Sequence, residues 1–335
     1  MPNLLDPLKV GSLELKNRIV MPPMGTNYAG TNGEVTEKLL KHYADRSPNL
    51  GLMIVEHSFV GPEGRASLNQ IGVHSDDLIP GLARLAETVH EKGVPVAIQM
   101  NHGGGTTKRE VTGSQPVAPS AVMHPKRGTE VPHELSQEEI EGLVQIYVDA
   151  ARRAKEAGFD AVEVHGAHGY LLCQFLSPAT NKRTDEYGGD LENRARLSCT
   201  IIEEVKRSLG RDFPVLYRLG VIDLHPGGLT LTEGVEAARL IAGMGADIMD
   251  ISGGLCGGRP ESLRGPGFFV PHAASVKDAI DVPVIGVGGV TTPNEADVII
   301  RSGRVDLVAI GRAMLKEAGW ASKAVEGLGG ATTPR

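Results

Sequence analysis

Residues 165–170 read HGAHGY, two histidines three apart with a tyrosine two further on. Three kinds of chemistry suit that spacing. The imidazoles could ligate a metal, grip an oxygen of a substrate, or simply pack. An HxxH metal pair needs a third or fourth ligand. No carboxylate cluster joins the histidines, although Glu163 precedes His165 and Glu56 is a further acid. No lysine ends a strand-like run, which weakens Schiff-base chemistry. Gln99 and Arg218 instead offer an amide and a cation. Those groups suit a flat heterocycle with carbonyl and ring-nitrogen edges, such as a flavin.

The elements that must hold these residues recur along the chain. Eight short apolar, β-branched runs cover 19–24, 51–58, 95–102, 160–166, 214–220, 247–253, 283–289 and 306–312. Near-continuous apolar runs predict strands covered on both faces. Helices are expected between them. Ser136 with Glu139, and Thr230 with Glu233, have capping-box spacing. Thr292, Pro293 and Glu295 repeat the device with proline at the first helical position. Alternating βα units of this number predict a (β/α)8 TIM barrel, and the absence of an early GxGxxG argues against a doubly wound sheet. We read one domain over 1–335, a Gly/Pro/Thr-rich insertion over 103–135 after strand three, and a tail over 320–335. An insertion of this length is expected to be either a lid or an ordered excursion.

Barrel active sites lie at the C-terminal ends of the strands, which gathers Pro22, Pro23, Met24, Gly25, His57, Gln99, His165, His168, Tyr170 and Arg218 at one mouth. Strands seven and eight end in glycine-rich turns, with Gly288 and Gly289 in one and Gly311 before Arg312 in the other. Glycine lets backbone approach closely, and free N–H groups at helix starts favour an anion. A phosphate is therefore expected there, with Arg312 adding a charged contact.

Composition removes several classes of function. The formal charge of −7 argues against nucleic acid. No apolar run approaches the ~20 residues that span a bilayer. The three cysteines show no CxxC spacing, so neither a disulfide frame nor a metal cluster is expected, and a cytoplasmic setting is the default.

The stretch HGAHGYLLCQFLSPATNKRTDEYGGDLENRAR closely resembles the signature of the old yellow enzyme family of FMN-dependent NAD(P)H oxidoreductases. LKNRIVMPPMGTN, AIQMNHGG and GVGGVTTP…LVAIGR match as well, from about residue 4 to about 315. MPPMGTN looks most like the branch of 2-enoate and 2,4-dienoyl-CoA reductases. The resemblance implies that backbone at Pro22, Pro23, Met24 and Gly25 lines the flavin. It places Gln99 on the pyrimidine edge, Arg218 near N1 and O2, and Gly288, Gly289, Gly311 and Arg312 on the FMN phosphate. His165 and His168 would hold a substrate carbonyl, and Tyr170 would protonate the α carbon. A phenol, with a reference pKa of about 10, is protonated at neutral pH.

The implied activity is an ene-reductase, with NAD(P)H as hydride donor, flavin N5 as relay and an α,β-unsaturated carbonyl compound as acceptor. The alternative is a flavin dehydrogenase of amines or cyclic alcohols with an external electron acceptor. A metal-dependent or phosphosugar lyase is the rival from another class. No membrane partner is expected; homo-oligomers are common in the family, but no interface signal is evident.

Two departures from the family stand out. Gly25 occupies a position where many members carry Cys or Thr, leaving Thr26 as the adjacent hydroxyl. His57 stands where relatives often have a small residue, and is either a flavin contact or a core histidine. Lys108, Arg109, Lys126 and Arg127 are read as solvated loop residues, His102 as structural, and Arg335 as part of the tail.

Overall fold

The strand runs are buried on both faces because the chain closes them into a ring. In the computed structural model, which describes residues 1–329, eight parallel strands form a closed barrel in chain order. They are β1 (Ile19–Met21), β2 (Leu52–Phe59), β3 (Val96–Asn101), β4 (Ala161–Gly166), β5 (Val215–Gly220), β6 (Ile248–Ser252), β7 (Val284–Val287) and β8 (Leu307–Ala309). β8 closes on β1 with Val308 opposite Ile19. This is the (β/α)8 architecture expected from the sequence.

Alternate residues of each strand point to opposite faces. Ile19, Met53, Ile98, Val162 and Tyr217 face outward and pack with the helices. Val20, Leu52, Ile54, Ala97, Ala161, Leu216 and Ile248 face inward and form a separate apolar cluster. Val10, Leu13 and Leu15 of an N-terminal hairpin join that inner cluster, so the hairpin closes the lower end of the barrel.

The helices that matter for the site start where their caps predict. The capping boxes at Ser136, Thr230 and Thr292 are all formed, opening Gln137–Glu156, Leu231–Gly243 and Pro293–Arg301. Such a cap is worth about 1 kcal/mol to its helix. Of the stretch set aside as a tail, Trp320–Gly329 is helical. Trp320 is buried, and its indole N–H donates to Thr291 O at 2.8 Å, behind the β7 turn. Arg335 lies outside the described residues. No helix among the described residues is long and apolar enough to cross a membrane.

The 103–135 insertion is an ordered excursion over the upper end. Val117–Ala118 and His133–Glu134 pair across its base. It is held from below by the polar run that follows HGAHGY. Arg183, itself buried, donates to the carbonyls of Pro119 and Leu135, and Lys182 N–H donates to Ser120 Oγ at 2.9 Å. Part of the 165–196 signature is therefore a clamp on this insertion.

Candidate active site

The inward parity that carries apolar side chains at the bottom of the barrel carries polar ones one step higher. Gln99, Glu163, Arg218 and Asp250 continue the inner series of β3, β4, β5 and β6. All four are buried. The amide N–H of Gln99 donates to Glu163 Oε1 at 2.8 Å. Asp250 Oδ2 stands 3.4 Å from Arg218 Nε. Burial, and then the neighbouring Asp250 carboxylate, push Glu163 well above the usual carboxylate range. Burial also raises Asp250, with the Arg218 guanidinium opposing it. Both carboxyls therefore hold their protons more strongly than free carboxylates do.

Arg218 is the most informative of the four. It is only 5% exposed, yet its side chain donates no hydrogen bond among the described residues. A guanidinium has five N–H donors, and leaving them unpaired in a buried site is costly. Asp250 faces its Nε, and its remaining N–H donors are left for an acceptor at the mouth.

Above this layer lie the histidines. His165 is 2% exposed and half-buried His168 stands beside it, ring centroids 5.0 Å apart. Tyr170 meets His165 edge-on at 5.1 Å. His168 adopts φ +58°, a left-handed conformation that is uncommon outside glycine. Its N–H donates to Gly253 O at 2.9 Å, and its Nε2 lies 2.7 Å from Ser252 Oγ. The end of β6 thus fixes the turn after β4. Burial first, and then neighbouring groups that include Arg218 and Arg127, hold both imidazoles well below their ordinary range. Both are therefore neutral at physiological pH.

Arg127 is the exposed loop residue that was expected, but it also reaches the mouth. His124 Nδ1 accepts the backbone N–H groups of Lys126 and Arg127, which turns the insertion inward. The Arg127 guanidinium then lies 4.5 Å over the Tyr170 ring and donates to the His168 carbonyl. A cavity of about 410 Å³ opens beside it, lined by Lys108, Lys126, Arg127, Thr129 and Tyr170 among others. The basic pair at 126–127 was the only signal in the sequence for this contact. Lys108 and Arg109 face Glu110 and Glu130 at 3.6 and 3.0 Å. His102 is buried under the turn at Gly64, with Glu63 at 3.6 Å, and is structural.

The end of β1 supplies Pro22, Pro23, Met24 and Gly25, with the two prolines buried and Gly25 open. Thr26 is not the free hydroxyl that the sequence suggested. Its Oγ1 donates to Glu56 Oε1 at 2.5 Å and its N–H to Glu56 Oε2 at 2.6 Å. β2 carries a register shift between Val55 and Ser58. Such a bulge re-aims a side chain, and here it presents His57 to the mouth, 5.6 Å from the Tyr170 ring.

The glycine turns lie on adjacent strands, with Val287 opposite Ala309. Gly288 and Gly289 have φ of +120° and +66°. The helix after them does not offer its own start to an anion, because Glu295 accepts the N–H groups of Thr291 and Thr292. What remains free are the backbone N–H groups of Gly288, Gly289, Gly311 and Arg312, which have no acceptor among the described residues. Arg312 is exposed beside them. Unpaired donors at the glycine turns, a buried guanidinium that faces only the Asp250 carboxylate, and an amide edge fit a phosphate-bearing heterocycle of the FMN type. Among the described residues, no set of three or more His, Cys, Asp or Glu side chains could hold a metal.

Comparison with known proteins agrees with this geometry. The family model described as "NADH:flavin oxidoreductase / NADH oxidase family" matches residues 3–330. The chain is 40% identical to an NADH oxidase of Thermoanaerobacter brockii, over 97% of its own length but only 51% of that relative's. It thus spans about half of that protein. It is 39% identical to an NADPH dehydrogenase of Geobacillus sp. (strain WCH70), covering 97% and 94% of the two chains. Among solved structures, an old yellow enzyme homologue from Zymomonas mobilis superimposes with a TM-score of 0.86 at 28% identity, covering 97% and 93%. A 2-naphthoyl-CoA reductase complex gives 0.93 at 29%, covering 97% of this chain and 52% of the other. The chain belongs to the NADH:flavin oxidoreductase / NADH oxidase family, the old yellow enzyme family of FMN-dependent NAD(P)H oxidoreductases.

Proposed function

We propose that this protein is an ene-reductase that reduces the C=C bond of an α,β-unsaturated carbonyl compound at the expense of NAD(P)H. When bound, FMN would supply the two-electron chemistry that links NAD(P)H to the alkene. The chain's own residues do the rest. Arg218, Gln99 and the backbone of Pro22–Gly25 hold the ring, and Gly288, Gly289, Gly311 and Arg312 hold the phosphate. One observation carries the reading of the substrate side: His165, His168 and Tyr170 form one ring cluster at the mouth, above a buried guanidinium with no hydrogen bond of its own.

Neutral imidazoles offer one N–H each. The Ala167 N–H donates to His165 Nδ1 at 3.4 Å, which leaves the proton of His165 on Nε2. If Ser252 donates to His168 Nε2, then His168 presents Nδ1–H. Two such donors on one carbonyl oxygen draw charge from the conjugated C=C bond and stabilise the developing enolate. Tyr170, in contact with His165, holds the proton destined for the α carbon.

The test is spectroscopic. Purified protein carries flavin absorption that bleaches under anaerobic NADPH or NADH and returns on adding a simple enone such as 2-cyclohexenone. Recovery with an artificial electron acceptor, but with no member of an enone panel, would show a flavin dehydrogenase instead.

A further inference from the structure

His57 has a definable proton position. Gln70 Oε1 accepts the Ala66 N–H at 2.7 Å, which fixes the orientation of the Gln70 amide. Its Nε2 must then donate, and it does so to His57 O at 3.0 Å and to His57 Nδ1 at 2.8 Å. An Nδ1 that accepts leaves the ring proton on Nε2. Burial, and then Arg127 and Arg218, push His57 down to about 4, so no second proton is present at neutral pH.

That Nε2–H faces the bare backbone of Gly25. A Cβ built on Gly25 would lie 3.0 Å from His57 Nε2, so the imidazole edge stands where a side chain at position 25 would need room. The end of β1 offers no donor side chain of its own. Gly25 has none, and both polar groups of Thr26 are engaged by Glu56. Nε2 itself has no partner among the described residues.

We propose that His57 Nε2–H is a hydrogen-bond donor to a carbonyl oxygen of the bound flavin, supplying from β2 the contact that Gly25 cannot supply from β1. The inference rests on the placement of FMN against Pro22–Gly25 proposed above. A donor there stabilises the electron-rich reduced ring more than the oxidised one, so His57 raises the reduction potential. The bulge in β2 and the Gln70 bond are the devices that aim it.

The experiment is a potentiometric titration of holoenzyme without substrate, comparing wild type with His57→Phe and His57→Gln. His57→Phe keeps a ring but loses the donor, and His57→Gln keeps an N–H. We expect His57→Phe to shift the reduction equilibrium against reduced FMN by tenfold or more, about 30 mV for a two-electron couple. His57→Gln should recover at least half of that shift. A potential for His57→Phe within threefold of wild type would reduce His57 to packing and overturn the proposal.

A second measurement stands if the variants fail to hold FMN. In 15N-histidine-labelled wild-type apoprotein, the Nε2-bound proton of His57 should move downfield as FMN is titrated in. An unmoved resonance overturns the proposal. Neither measurement uses an enone, so a failure of alkene turnover is read separately.

Discussion

His57, His165 and His168 lie within the field of two guanidiniums, Arg127 and Arg218, and burial holds all three below the ordinary imidazole range. Neutral rings can donate to a carbonyl without bringing a buried charge. Tyr170 is the one residue of the cluster with an acidic hydroxyl to give. Tyr170→Phe should slow reoxidation by an enone by about 10²-fold or more, the size typical of a lost general acid. It should leave anaerobic FMN reduction by NAD(P)H nearly intact, and stopped-flow measurement of the two half-reactions separates these. Equal losses in both would remove Tyr170 as the proton donor. Arg218→Ala leaves Asp250 without its cation and the ring without its charged neighbour. FMN should bind at least about tenfold more weakly, or about 1.4 kcal/mol. Whatever flavin stays bound should be harder to reduce. Unchanged affinity and potential would sink that role.

Two elements set the mouth from a distance. The end of β6 anchors the strained turn at His168 through Gly253 O and Ser252 Oγ. Ser252→Ala removes the partner that selects the His168 tautomer, while the backbone bond keeps the turn. The expected result is a several-fold rise in KM for the enone with little change in FMN reduction. An unchanged KM would mean that His168 donates to the substrate without help from Ser252. The insertion is the second element. Its inward turn at His124 and its anchorage on Arg183 place Arg127 over Tyr170. The strands and capped helices were legible because their signals are local: near-continuous apolar runs, and Ser or Thr three residues before Glu. Arg127 was not legible, because its position depends on a clamp more than fifty residues away in the chain.

At the scale of the whole molecule, the barrel carries an apolar lower layer, a charged layer and a hydrogen-bonding mouth in one inward series. Burying titratable groups this way has a thermodynamic consequence. His42, His57 and His124 are each pushed down to about 4 from 6.5, burial being the first cause in every case. A depressed imidazole contributes stability that is fully present above pH 6.5 and is lost as pH falls toward about 4. His165 and His168 act in the same direction, while the raised Glu56, Glu163, Asp223 and Asp250 act against them. The five imidazoles outnumber these four carboxyls, so the apoprotein should melt at a lower temperature at pH 5 than at pH 7. A higher melting temperature at pH 5 would contradict the neutral assignments. Local pattern in the sequence was enough to determine the eight strands, their closure into a barrel, and the gathering of Gln99, His165, His168, Tyr170 and Arg218 at one end, because apolar runs and capping act over a few residues. Three things were decided only by the tertiary structure: that Thr26 is engaged by Glu56, that Gln70 places the proton of His57 beside the bare Gly25, and that Arg127 covers Tyr170. Each depends on which donor meets which acceptor through space, and no spacing along the chain encodes that.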